Sequence, residues 1–338
     1  MLKYGGIRKA RTLDCVLEWK IPHLMYAGDF AVLYSKRDNV VPPAGISLEP
    51  SKARIKRLEN TFFVIFPFLG SLYAIYYFQS HAFTWVEISS FIVFYLIAGM
   101  GATIGYHRYM THRSFEAGPI IKIALSFMAT MSFQGSILRW VANHNRHHKY
   151  SDKPWDIHSP NVYLDSHINN KWLGFFHSHF GWLFDSTTTD EKKYGVLILK
   201  DPIFMFFTRH VYVICLLSLI LPFMYGYLLG DVETAIGSLL IGGFVRIFVQ
   251  LNVTFAINSV CHMWGKQEAT QRDSSRNNLV LTILTFGEGY HNNHHADPRA
   301  ANQGFLNHQF DFLWLILKGM AKLGLVTNLV EPRNKHIK

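Results

Sequence analysis

The chain has 338 residues, 49% of them hydrophobic and 15% aromatic, with a formal net charge of +10. So apolar a composition excludes an ordinary soluble enzyme. The positive charge comes with no groove-reading motif, so it reads as membrane topology and attraction to anionic lipid, not as nucleic-acid binding. Cys15, Cys215 and Cys261 are three unspaced thiols, which excludes a disulfide framework and a cysteine-rich zinc site.

In chain order, the first 50 residues are charged and broken by Pro22, Pro42 and Pro43, and carry no signal peptide. Apolar runs over 61–80 and 88–106 then come close to the roughly 20 residues that cross a bilayer. Gly118 to Ile137 is apolar but interrupted by Lys122, and a span there would put later segments on the wrong side; it reads as a helix in the membrane plane. Runs over 203–229 and 234–257 form a second pair. The links Gln79–Glu87 and Gly230–Glu233 hold no Lys or Arg, whereas Lys52, Arg54, Lys56 and Arg57 precede the first span. The positive-inside bias therefore places both termini in the cytosol. An all-α membrane protein follows, with four transmembrane helices in two hairpins and a cytosolic helical cap.

Three histidine words stand on that face: His107-Arg-Tyr-Met-Thr-His112, His144-Asn-Arg-His147-His148 and His291-Asn-Asn-His294-His295. They hold eight of the 18 histidines. Imidazole suits iron, copper, zinc and nickel, and must be neutral to bind. At about 100° per residue the adjacent pair His147-His148 diverges by about 100°, so one helix offers a ligand to each of two metals. His107 and His112 lie about 140° apart on an α-helix. They share an ion only if the helix ends between them or the ion wedges in from the side. The words suit a dinuclear centre. Asn258 and His262 share a face at the end of the fourth span, and His262 reads as a ninth ligand. Asp152, Asp156, Glu288 and Asp297 are placed to orient ligand rings through their second nitrogen. Arg246, inside the fourth span, is either functional or paired to a neighbouring helix.

From about Thr61 onward these words, with Trp140-Val-Ala-Asn before the second, Ser178-His-Phe-Gly-Trp182-Leu, Asn258-Ser-Val-Cys-His262 and Gly287-Glu-Gly-Tyr before the third, resemble the membrane-bound fatty acyl desaturase family. The third word with Gln303-Gly-Phe is most similar to its bacterial delta-9 branch. The resemblance implies a cytosolic extension over 1–58 and a desaturase domain over 59–338 holding two Fe ions. One iron takes His107, His112, His144, His148 and His295. The other takes His147, His262, His291 and His294, with Asn258 holding a water. It implies an enzyme of a bacterial inner membrane that uses O2 to insert a cis double bond into a saturated acyl chain, as an acyl lipid or an acyl thioester. The chain would lie in a kinked apolar tunnel, for which Trp140, Trp182, Thr254 and Phe255 are candidates.

Two departures favour an acyl lipid or an acyl-carrier protein over a CoA thioester. Asp185-Ser186 stands where the acyl-CoA branch has a basic pair, and Gly135 or Ser136 stands near an Asn that meets CoA. No His-Pro-Gly-Gly heme word occurs, so electrons are expected from a separate ferredoxin-like or cytochrome-like donor, with Arg113, Arg146 and Lys149 as a basic docking surface. A hydroxylase of the same architecture and a membrane metal transporter or sensor are the rival readings.

Overall fold

A computed structural model describes residues 40–270 and 273–333, and its elements are helices apart from three pairs of two-residue strands. Pro50 opens the first long helix, α1 (Pro50–Tyr77), from the position where its missing N–H costs nothing. The second, α2 (Trp85–Met100), starts on a reciprocal cap in which Thr84 and Glu87 satisfy each other's end of the helix. It runs on without a break as a π-helix over Gly101–Thr111.

Next come α3 (Pro119–Thr130), α4 (Ile137–Tyr150) and α5 (Lys171–His179). At 12 residues α3 is about 18 Å long, too short to cross a bilayer. It packs against the π-helical end of α2, and its Lys122 donates to Asp201 at 2.5 Å.

The apolar run expected to cross as one span over 203–229 is broken. Its first part is a separate helix, α6 (Pro202–Arg209), capped by Asp201. At His210 the backbone leaves helical geometry and the ring nitrogen Nδ1 bonds Phe206 O at 2.8 Å, ending α6 beside Arg209. The span proper is α7 (Val211–Leu229). The fourth, α8 (Val232–Met263), contains a π-helical stretch over Leu239–Val245. Three short helices complete the chain: α9 (Leu279–Leu284), α10 (His291–Ala296) and α11 (Phe312–Lys322). Four helices are thus long and apolar enough to cross a membrane: α1, α2 with its π extension, α7 and α8. α1 begins 11 residues before the expected span and carries the basic cluster on its first turns.

Chain order joins these spans in pairs, and α7 packs on α8 accordingly, but α1 and α2 also pack on α8. α8 lies at the centre and touches α1, α2 and α7. Small residues make that approach possible. A Cβ on Gly242 would lie 2.0 Å from Ser90 Oγ of α2, and one on Gly70 of α1 would lie 2.2 Å from the ring of Phe244. Arg246 sits fully buried in α8 and donates to Gly242 O (3.0 Å), Met131 O (3.2 Å), Ser218 O (3.1 Å) and Ser218 Oγ (2.7 Å). It ties α8 to α7 and to the end of α3, so the backbone pairing of its two readings is the one observed.

The described part of the N-terminal extension is an integral part of the cap. Ile46–Ser47 pairs antiparallel with Thr188–Thr189, while Ile46, Val40 and Leu48 pack on Trp155, Tyr163, Leu164 and Leu173. Residues 1–39 of that extension, including Cys15, lie outside the described residues. At the other end Val326–Thr327 pairs with Glu116–Ala117, and Val330 N donates to Ser114 O, fastening the C-terminal segment beside the first histidine word.

Gly242→Ala should cost about 1–3 kcal/mol of stability by overpacking against Ser90. Thermal unfolding in detergent should show the loss, and adding Ser90→Gly should restore much of it.

Candidate metal centre

The first word lies on the π-helical end of α2. In a π turn residue i+5 sits over residue i. His112 N accordingly donates to His107 O at 3.1 Å, and the two rings stand 4.8 Å apart. The helix closes on this pair in a wide turn. It widens through His107 and ends at Thr111, with His112 as its cap residue. Leu239–Val245 widens in the same way inside the neighbouring α8.

Nine imidazoles gather into two sets. His107, His112, His144, His148 and His294 form one; His147, His262, His291 and His295 form the other, with candidate ligand atoms of each set within 4.8 Å of one another. The contacts are between Nε2 atoms. In the first set they run from His107 to His294 (3.1 Å), His294 to His148 (2.8 Å), His148 to His144 (2.9 Å) and His144 to His112 (2.9 Å). In the second they run from His147 to His295 (3.2 Å) and from His262 to His291 (3.1 Å). His147 and His148 fall in different sets, as their angular separation on α4 requires. The allocation of His294 and His295 is the reverse of the one the resemblance implied. Asp273 takes the Nδ1 of His295 at 2.6 Å and turns its Nε2 toward His147, while Nε2 of His294 faces His107 and His148.

Carboxylates hold the outer nitrogens. Asp156 bonds Nδ1 of His147 and Asp152 bonds Nδ1 of His262, both at 2.9 Å; Glu288 pairs with Nδ1 of His107. A carboxylate on Nδ1 fixes the tautomer and leaves the Nε2 lone pair facing inward, the arrangement of a metal-ligating histidine. Among the expected carboxylates Asp297 is the exception: it is bound by Arg333 at 2.7 Å. Asp273 takes the place expected of it. It was missed because it stands in a polar stretch 22 positions from its histidine, and only folding brings them together.

Burial, followed by the neighbouring imidazoles, pushes His112, His144, His148, His291, His294 and His295 well below the usual histidine range. These rings are neutral at physiological pH with lone pairs free to bind. Burial opposes ionisation of Asp152, but His262 and the hydroxyls of Ser159 and Ser274 outweigh it and hold that carboxyl well below the usual range. An all-imidazole inner face with carboxylates behind it fits first-row transition ions, iron included.

Beside the two sets lies a cavity of about 720 Å³. Trp140, Trp182, Thr254 and Phe255 all line it, as do His144 of the first set and Asn258, one helical turn before His262. Phe63, Val64, Phe133 and Leu251 supply apolar wall. Gln134 bridges it, accepting from Trp140 Nε1 (2.9 Å) and donating to Thr254 Oγ1 (3.1 Å). His158, also in the lining, is 6% exposed and its Nδ1 has no partner; its ring stands 4.2 Å from that of His147. Neither Gln134 nor His158 carries a motif that would single it out in the sequence. Of the expected docking cations, Arg113 and Lys149 are exposed. Arg146 is buried and donates to Trp155 O (3.1 Å) and to Thr187 and Thr189 hydroxyls (3.3 Å each), so it offers no docking surface.

The profile of the fatty acid desaturase family matches residues 83–318. The chain is 35% identical over 288 residues to a hex-5-enoyl-[acyl-carrier protein] acetylenase of Moorena producens, covering 84% of this chain and 90% of that one. It is 33% identical over 275 residues to an acyl-CoA C20 delta5-desaturase of Anemone leveillei, covering 80% and 82%. It is 30% identical over 274 residues to an sn-1 stearoyl-lipid 9-desaturase of Anabaena variabilis, covering 80% and 92%.

Asp273→Asn should weaken metal binding by roughly 10–100-fold, the usual cost of losing a ligand's outer partner. Asp297→Asn should leave it unchanged; metal titration followed by elemental analysis separates the two. The depressed imidazoles also set a pH dependence. Below about pH 6.5 the unfolded chain takes up protons that the folded one refuses, so stability falls as pH falls. The metal-free protein should therefore melt several degrees lower at pH 5.5 than at pH 7.5.

Proposed function

The chain belongs to the fatty acid desaturase family, and from that premise we propose that it converts a saturated acyl chain, lying in the cavity beside the two histidine sets, to a cis-Δ9 alkene. It is an oxidoreductase acting on fatty acyl chains. The observation that carries the fuller reading is the shared wall. The apolar cavity is lined by His144 of one set and by Asn258, which stands one helical turn before His262 of the other.

In this reading the nine histidines hold two irons, Asn258 holds a water near the second, and O2 is the co-substrate. The irons would supply the O2-dependent oxidation that removes hydrogen from two neighbouring methylenes, which no side chain here can do. The overall change is acyl-CH2-CH2 plus O2, two electrons and two protons to acyl-CH=CH plus two waters. The electrons come from a separate ferredoxin-like or cytochrome-like protein, and the active face lies on the cytosolic side.

The residues of the chain do the rest. Asp152, Asp156, Asp273 and Glu288 keep four imidazoles in one tautomer and orientation. Phe63, Phe133, Leu251 and Phe255 exclude water from the reacting methylenes. The Trp140–Gln134–Thr254 hydrogen bonds fix a polar crosspiece against which the acyl chain bends, which sets the pair of carbons nearest His144. The Anabaena relative's name supports a bond at carbon 9; the Anemone relative's name shows that the family is not confined to it.

Expressed in a host lacking unsaturated fatty acids, the chain should produce a 9-alkene located by mass spectrometry. His294→Ala should lower product at least a hundredfold while the protein still inserts, on the scale at which positioned groups act in catalysis. Product that gains oxygen would mark a hydroxylase. Unchanged unsaturation in the variant would remove the histidine sets from the chemistry.

A further inference from the structure

The cavity opens where α1 changes from charged to apolar. Lys52, Ile55, Lys56 and Asn60 line its outer part, Phe63 and Val64 its inner part, while Phe62, Ile65, Phe66 and Leu69 of the same helix face outward. A helix changes character in this way at the level of the lipid head groups.

Three of the four cations that line this mouth are paired with carboxylates. Lys56 Nζ is bound by Asp185 at 2.5 Å and by the carbonyls of Trp182 (2.7 Å) and Thr187 (2.9 Å). Arg139 pairs with Glu59 and, at 3.2 Å, with Glu191. Lys52 pairs with Glu49 at 2.7 Å. Among the described residues Lys192 is the one lining cation without an ion pair, and Asp190 stands two positions before it. The remaining polar lining is uncharged and includes Ser47, Thr188, Thr189 and Asn143.

We infer that this neutralised mouth selects the acyl carrier: the substrate is a chain esterified in a membrane glycerolipid with an uncharged or zwitterionic head group, entering from the leaflet, and not an acyl-CoA or an acyl-carrier protein. The phosphates of CoA and the acidic surface of a carrier protein both require a net positive field to be held. Here each of the three paired cations faces at least one carboxylate within ion-pair distance. A glycerolipid requires no such field, and its head group already lies at the height of the mouth. The inference rests on the placement of the acyl chain in this cavity.

The test uses the full-length, metal-free protein and a stearoyl chain with a photoreactive diazirine at mid-chain, carried in turn on phosphatidylcholine vesicles, CoA and acyl-carrier protein. Cross-links are mapped by mass spectrometry. The lipid probe should label the cavity segments 133–144 and 251–258, and the other carriers should label them weakly. Glu59→Gln with Glu191→Gln frees Arg139 and should raise labelling by the CoA probe roughly tenfold at low salt, the gain declining as salt is added. Retained lipid labelling in that double variant shows that it is folded. Stronger labelling of the wild type by CoA or carrier-protein probes overturns the inference, as does a double variant that gains nothing. Failure of every carrier to label these segments overturns instead the placement of the acyl chain.

Discussion

Nine imidazoles packed edge to edge would repel one another if protonated, and would tumble among rotamers if neutral and unpinned. Burial removes the first problem by making the charged form costly. A set of carboxylates removes the second by taking the outer nitrogen of four rings. Each carboxylate is itself held: Asp152 by Ser159, Asn161 and Ser274, and Glu288 by Arg108 and Gln303. The ring positions thus rest on a polar layer that couples segments more than 100 residues apart, and the rest of the structure is arranged to deliver those segments.

The spans do this by packing around α8 and not simply in consecutive pairs. Gly242 lets α2 approach α8 closely, and Arg246 anchors α8 to α7 and the end of α3. That arrangement sets the height at which α2 ends and where its π turn presents His107 and His112. It also places His262 at the last turn of α8, opposite His291. A π-helix is a poor backbone arrangement taken alone. Here it is stabilised from outside, by the burial of Gly101 to Met110 against α3 and α4.

The cavity follows from the same packing. α1, α4 and α8 leave an apolar gap between them, bordered at the mouth by Ile46–Ser47 and Thr188–Thr189 and lined farther in by His144 and Asn258. Trp140 serves both parts, stacking on Tyr106 and His144 while facing the cavity. The first histidine set and the cavity wall are therefore mechanically linked on α4. A change in how that helix sits would move ligands and cavity wall together.

The spacing of the histidines, the pairing of apolar runs and the distribution of basic residues are properties of neighbouring positions, and the chain alone was enough to determine them. They establish an all-α membrane fold, the nine rings and their division at His147-His148, because helix geometry converts local spacing into direction. What depends on distant contacts was decided only by the tertiary structure. The His294 and His295 allocation turns on Asp273; Asp297 is taken by Arg333; Arg146 is drawn inside; the third span begins at Val211 and not at 203; and three cations at the mouth are paired by Glu49, Glu59, Asp185 and Glu191. In each case a side chain has several partners in reach of its chemistry, and packing alone chooses which one stands beside it.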